Sequence, residues 1–439
     1  MLRARGEHAS RLCRCQEVVT APYSLRPVDT TVVVVFAFVY AGMILGEIPG
    51  LALDRSGVAL LGAIALIATG RVSLAGAWQA VDVSTMALLI GLMVVSAQFR
   101  LGGFYAHLTQ RLATRAVPAP VLLALLVGAA GLLSAVLAND IICLAMAPVL
   151  TVACIRRGFT PVPFLLALAC AANVGSAATL IGNPQNMLIG QRLHLSFAGY
   201  LGDAAVPAVL GLAATWGVIV GLTRGRWAWQ GTTPEILTRR VDDVALRPLA
   251  RWQTAKGLIV LAALVVAFLA APWPRDVVAL AGAGVLLLSR RTASRDILGL
   301  VDWELLVLFA GLFVVNDALV ASGTLGRMMA PLAGAGIDLR APGALFVGVV
   351  ALSNLVSNVP AVMLLLPFAH QPGGGAILAL ASTLAGNLLL VGSIANLIVV
   401  EQAARLGVRI GWREHARIGV PVTLVTLGLA AGWLWMRGG

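Results

Sequence analysis

The sequence predicts an all-α polytopic membrane protein: about ten transmembrane helices plus two re-entrant helical hairpins, in an inverted repeat with two discontinuous helices. Three observations carry this expectation. The chain is apolar throughout, its apolar runs are broken by uncharged polar motifs, and those motifs recur in the same order in its second half.

Of 439 residues, 59% are hydrophobic and only 11% charged. That is less than half the charged share of an ordinary soluble domain. The mean hydropathy is +0.93. A β-barrel would show alternating segments of about ten residues, and the sequence has none. The net charge of +12 reads as loop arginines. No basic segment carries a nucleic-acid-binding motif, so no nucleic-acid partner is expected. Cys143, Cys154 and Cys170 lie in apolar runs and read as small hydrophobes. The five histidines fall in loops or at segment ends, and no HExxH spacing occurs, so no metal site or cofactor is expected. GxxxxGK[ST] is absent, so energy must come from an ion gradient or from a separate ATPase subunit.

In chain order, residues 1–27 form a basic N-terminal stretch with Cys13 and Cys15, read as an unstructured tail. Residues 28–222 form the first repeat, with spans at 31–48, 57–70, 83–99, 163–190 and 203–222. Residues 223–256 are a basic cytoplasmic linker, and 257–439 form the second repeat, with spans at 257–272, 276–290, 303–321, 376–402 and 417–436. Glu47, Glu304 and Glu401 sit at span ends and read as interfacial. Two apolar segments, 119–154 and 341–370, fit no simple span. Two crossings need about 40 apolar residues and one needs about 20. The middle of 341–370 reads SNLVSNVP, too polar for lipid, and 119–154 has SAVLAND at its middle. A hairpin that enters and leaves on one side fits both, because irregular backbone at depth is tolerated only when packed in protein or lining a cavity.

The repeat is visible residue by residue. Asp82 and Asp302 open segments that place GLxVV at Gly91 and Gly311, an offset of 220. Ser134, Asn139 and Pro148 match Ser353, Asn358 and Pro367 at an offset of 219. Gly182, Asn183 and Asn186 match Gly392, Ser393 and Asn396 at 210. Three blocks in one order indicate duplication. Five spans per half is an odd number, so the halves take opposite orientations. With the N-terminus outside, cytoplasmic segments hold 20 of the 31 basic residues, which places both termini outside the plasma (inner) membrane.

GNPQN, residues 182–186, is poor material for the middle of an apolar helix. It is good material for starting one, with Asn183 as N-cap and Pro184 at the first helical position. Ser393 is the corresponding cap. Asn139 and Asn358 are expected to cap the second arms of the hairpins. Four helix beginnings would then meet near mid-depth and hold cargo by backbone polarity, without a cationic side chain. The candidate substrate- and ion-binding residues are Ser134, Asn139, Asp140, Gly182, Asn183, Asn186, Ser353, Asn354, Ser357, Asn358, Asn387, Gly392, Ser393 and Asn396. Asp140 stands opposite Val359 in the repeat and so lies outside the symmetric scaffold; it reads as a cation or proton site, with Asp317 as a second buried carboxylate. Na⁺ near Asn139, Asp140 and Asn183 is one option.

ANVGSAATLIGNPQNMLIG together with LSNLVSNVPAVMLLLP resembles the ion transporter superfamily. That group, with its citrate-transporter-like domains, includes arsenite permeases, NhaD-type sodium/proton antiporters, the melanosomal P-protein and divalent-anion/sodium symporters. The resemblance implies two re-entrant hairpins, two unwound spans and a transport domain that moves elevator-fashion. It also implies a small anion, oxyanion or neutral arsenite as substrate and H⁺ or Na⁺ as coupling ion; relatives include monomers and homodimers. The symporters carry Ser-Asn-Thr at each tip. This chain reads Ala138-Asn139-Asp140 and Ser357-Asn358-Val359, keeping both asparagines and neither threonine. The acidic residue after Asn139 resembles the arsenite permeases and antiporters. Arsenite or oxyanion export therefore leads, carboxylate transport follows, sodium/proton exchange is third, and a channel is the rival class; no catalytic pair suggests an enzyme.

Overall fold

The computed structural model describes residues 29–438 apart from 47, 49, 229–247 and 291. The expectations for the 1–27 tail, for Glu47 and for most of the 223–256 linker lie outside the described residues. The first half contains α1 (Thr30–Leu45), α2 (Arg55–Ala68), α3 (Leu74–Ala80), α4 (Val83–Leu101), α5 (Phe104–Ala113), α6 (Ala119–Val136), α7 (Asn139–Arg156), α8 (Pro161–Ser176), α9 (Pro184–Arg192) and α10 (Phe197–Thr223). The second contains α11 (Arg251–Ala270), α12 (Arg275–Leu287), α13 (Ser294–Leu298), α14 (Trp303–Ala321), α15 (Thr324–Gly334), α16 (Pro342–Val356), α17 (Asn358–Leu365), α18 (Gly374–Ala385), α19 (Ile394–Arg405) and α20 (Trp412–Gly438).

Seven of these helices are long and apolar enough to cross a membrane: α4, α6, α7, α10, α11, α14 and α20. Five of them, α4, α10, α11, α14 and α20, match expected spans, whereas α6 and α7 are the two arms of 119–154, expected as a hairpin that does not cross, and each is 18 residues long; the remaining unbroken spans are shorter, with 16 residues in α1, 14 in α2 and 13 in α12. The two runs expected to be discontinuous are broken. Helix stops at Ser176 and resumes at Pro184, and it stops at Ala385 and resumes at Ile394 after a 3₁₀ turn at Leu390–Gly392. Four helices went unforeseen: the short α3 and α13, and the longer α5 and α15. The last two each begin after a left-handed glycine, Gly103 (φ 69°) and Gly323 (φ 68°), and these two glycines stand in the same register as Gly91 and Gly311.

Contacts gather the chain into two compact units, each drawing on both halves of the sequence. One comprises residues up to 83, 303–348 and 363–374; the other comprises 84–302, 349–362 and 375–439. In the first unit, Gly311 of α14 lies so close to α2 that a methyl on it would stand 2.6 Å from the Ala59 carbonyl carbon. The Tyr40 hydroxyl donates to Asn316 Oδ1 at 2.9 Å, which satisfies two buried polar groups at once. In the second unit, Gly91 of α4 meets α12 the same way, 2.7 Å from the Ala279 carbonyl carbon. The two contacts are repeat equivalents: Gly91 matches Gly311, and Ala59 matches Ala279 at the same offset. Gly131 of α6 and Gly175 of α8 also bring their backbones into contact in the second unit. Glycine is required at such crossings because any side chain would force the helices apart.

Candidate functional site

All fourteen candidate residues lie in the second unit. The first break is organised by Asn183. Its Oδ1 accepts from the Asn186 backbone N–H at 2.9 Å, the N-cap bond its position led us to expect. Its Nδ2 donates to Ser176 Oγ at 3.0 Å and to Thr383 Oγ1 at 3.2 Å. Asn186 ties the break together, donating to the carbonyls of Thr179 (2.9 Å) and Ser176 (3.4 Å). Gly182 is wedged against Ser176, and a methyl there would stand 2.7 Å from the Ser134 carbonyl oxygen.

The second break repeats this pattern. Ser393 Oγ accepts from the Ala395 N–H at 3.2 Å, and Asn396 Nδ2 donates to the carbonyls of Gly386 (2.9 Å) and Leu389 (3.2 Å). Asn396, Gly386 and Leu389 are the repeat equivalents of Asn186, Ser176 and Thr179, all at the offset that relates Gly182 to Gly392. The carbonyl left over where the first helix stops, Ala177, accepts from the Tyr200 hydroxyl at 2.7 Å. Its counterpart, Asn387, is met at 3.1 Å by His415 Nε2. His415 is 1% exposed, so it is no surface-loop histidine: the first turn of α20 carries it into the interior.

The tip asparagines do not cap. Asn139 and Asn358 are themselves the first residues of α7 and α17, and Ala138 is the N-cap of α7, with no side-chain cap bond. The Asn139 amide turns inward instead and donates to Asn173 Oδ1 at 3.4 Å. Asn358 follows Ser357, which holds a left-handed φ of 75° and turns the chain sharply. What the tips present is a set of buried oxygens. Asn139 Oδ1, Asn358 Oδ1, Ser134 Oγ and Ser353 Oγ have no hydrogen-bond partner among the described residues, and neither has Asn354 Oδ1. Ser134 and Ser353 are fully buried. Buried polar atoms without partners are costly, about 1–3 kcal/mol each, and native structures hold few of them.

Asp140 is half-buried in the first turn of α7, and no cation pairs with it among the described residues. Asp317, expected to be buried, is exposed on α14. Two residues that sequence reasoning missed sit at the centre. Asn173 is 2% and Thr383 1% exposed, and each bonds to the opposite half's break. Both lie in the last turn of apolar helix before a break, without a proline beside them to draw the eye. The offset between the two breaks also relates Asn173 to Thr383, and that was the available signal.

An apolar helical chain whose polar centre is built from broken helices defines an integral membrane transport protein. Comparison with known proteins narrows the class. A family model described as citrate transporter matches residues 33–385, and the chain belongs to that family, within the ion transporter superfamily. An uncharacterized transporter of Mycobacterium tuberculosis is 35% identical, covering 81% of this chain and 87% of the relative. The silicon efflux transporter LSI3 of rice (Oryza sativa) is 28% identical over 87% and 93% of the two chains. The solved YdaH transporter of Alcanivorax borkumensis shares the fold, with a TM-score of 0.51 at 16% identity over 93% of this chain and 97% of that one.

Proposed function

We propose that this protein is a secondary active transporter, not an enzyme, that moves a small anion or oxyacid driven by an H⁺ or Na⁺ gradient. It works as ten spans and two re-entrant hairpins in an inverted repeat, with a transport domain that moves elevator-fashion in the inner membrane, both termini outside. The paired contacts Gly91–Ala279 and Gly311–Ala59 support the repeat, as do the matched amide bonds of Asn186 and Asn396.

One observation carries the substrate class: two capped helix beginnings and matched buried oxygens at the tips, with no cationic side chain among the fourteen residues. Helix starts hold negative charge through N–H groups. Hydroxyl and amide oxygens accept from a substrate that carries O–H groups. Together they suit an oxyacid able to give and take hydrogen bonds, the chemistry common to arsenite, silicic acid and a carboxylic acid. Arsenite- or antimonite-type export leads and citrate- or dicarboxylate-type transport follows. Sodium/proton exchange is the second reading. It is favoured by Asp140 beside Asn139, which offers a carboxylate and a neutral oxygen to Na⁺.

The test is flux of arsenite, silicic acid, citrate and Na⁺ in one proteoliposome assay. Saturable accumulation of one oxyacid, collapsed by dissipating the H⁺ or Na⁺ gradient, is expected. Na⁺/H⁺ exchange with no oxyacid flux would select the second reading. Non-saturable flux that follows only its own gradient would mean a channel.

A further inference from the structure

We infer that Asn173 and Thr383 are positioning residues that cross-brace the two helix breaks, each standing in the last turn before the break of its own half and fixing the break of the other, so that the two breaks open and close together. Asn173 belongs to α8 of the first half. Its Nδ2 donates to Asn387 Oδ1 at 2.8 Å and to Asn396 Oδ1 at 3.4 Å, and its Oδ1 accepts from Ser393 Oγ at 2.9 Å. All three partners belong to the second break. Thr383 belongs to α18 of the second half. Its hydroxyl donates to Asn186 Oδ1 at 3.3 Å and accepts from Asn183 Nδ2 at 3.2 Å and Gln185 Nε2 at 3.3 Å. All three partners belong to the first break. Asn173 and Thr383 are themselves equivalent positions of the repeat, separated by the same offset as the breaks.

The bonding of Asn173 is saturated. Both amide hydrogens are used, and the oxygen accepts a second bond from Asn139 Nδ2 at the first hairpin tip. An amide can do no more. A ligand that drew the Asn139 amide toward itself would take a donor from Asn173, and Asn173 would be free to shift against Ser393, Asn387 and Asn396. The first tip is thereby connected to the second break through one buried side chain. A contiguous chain of buried hydrogen bonds is a physical means by which two sites influence one another.

Hydrogen–deuterium exchange on the full-length protein in lipid nanodiscs tests the bracing without any substrate, so its outcome is independent of the transport reading. Thr383→Val keeps the shape and removes the hydroxyl. Exchange should rise about tenfold in the segment 177–186, with the long helices α10 and α11 unchanged, and Thr383→Ser should restore protection. Asn173→Ala should raise exchange in 386–396 by a similar factor while leaving 177–183 protected. An even rise across all helices would reduce both residues to ordinary packing and overturn the inference. Loosening confined to each residue's own half would overturn it too. Should Asn173→Ala fail to accumulate, the Thr383 pair decides alone.

Discussion

The two breaks share a scaffold and differ in chemistry. At the first, every side chain that shapes the turn is engaged. Asn183 makes three hydrogen bonds and Asn186 is held by Thr179, Ser176 and Tyr200. At the second, Ser393 makes the cap with a single hydroxyl, and a histidine replaces the tyrosine on the stranded carbonyl. The tips divide the other way. The first carries the carboxylate of Asp140, whereas the second carries Val359 and an extra unpartnered oxygen, that of Asn354. The two breaks keep one pattern of cap and amide bonds, and only the segment around Asn139 carries a charge beside its asparagine. On the proposed reading, the first half handles the coupling ion and both halves hold the substrate.

The comparison breaks most sharply at Asp140. Asp140→Asn should abolish gradient-driven flux in proteoliposomes while the protein still inserts and folds. Installing the acid at the equivalent position in that background, Val359→Asp, should not restore flux, because the second tip lacks the environment of the first. Unaltered gradient dependence in Asp140→Asn would remove the charge asymmetry from the mechanism. Next in size is the packing of the breaks. A methyl at Gly182 would stand 2.7 Å from the Ser134 carbonyl oxygen, whereas at Gly392 its nearest neighbour is the Gly386 oxygen at 3.2 Å. Gly182→Ala should therefore cost about 1–3 kcal/mol, and Gly392→Ala less, in thermal unfolding of the detergent-solubilised protein. Equal costs would mean that the first break is no tighter than the second.

Much of this was legible in the sequence because a membrane chain announces its irregularities. Gly182, Pro184 and the amides around them stand out against apolar residues, and N-cap chemistry is local, so the roles of Asn183 and Ser393 followed from spacing alone. The tips were misread for the same reason. A local rule assigned Asn139 and Asn358 as caps, but the helices begin one residue earlier than that rule requires, and tertiary contacts redirect the Asn139 amide to Asn173. Asn173 and Thr383 act only across a long sequence separation, so no window of neighbouring residues could reveal them. Asp317 shows the converse: an apolar context in sequence does not bury a side chain that faces outward from its helix. The helices α1 and α12 are each about two residues shorter than their expected spans, whereas α2 has the expected length and starts two residues earlier.

The smallest effect, and the finest probe of the difference between the halves, is the pair of caps. Replacing an N-cap by alanine costs about 0.5–2 kcal/mol. Ser393→Ala removes the bond to the Ala395 N–H and the one to Asn173 Oδ1, and Asn173 keeps its contact with Asn139. Asn183→Ala removes the cap and also withdraws a donor from Ser176 Oγ and from Thr383 Oγ1, both buried. Each hydroxyl keeps its other bonds but loses one, which adds to the loss of the cap itself. Binding of the transported oxyacid, followed by isothermal titration, should therefore weaken at both sites and more at Asn183, by roughly a further 1 kcal/mol. Equal losses would mean that the cap alone matters and that the denser network of the first break contributes nothing to holding the cargo. No loss at either would mean that the helix beginnings do not face it.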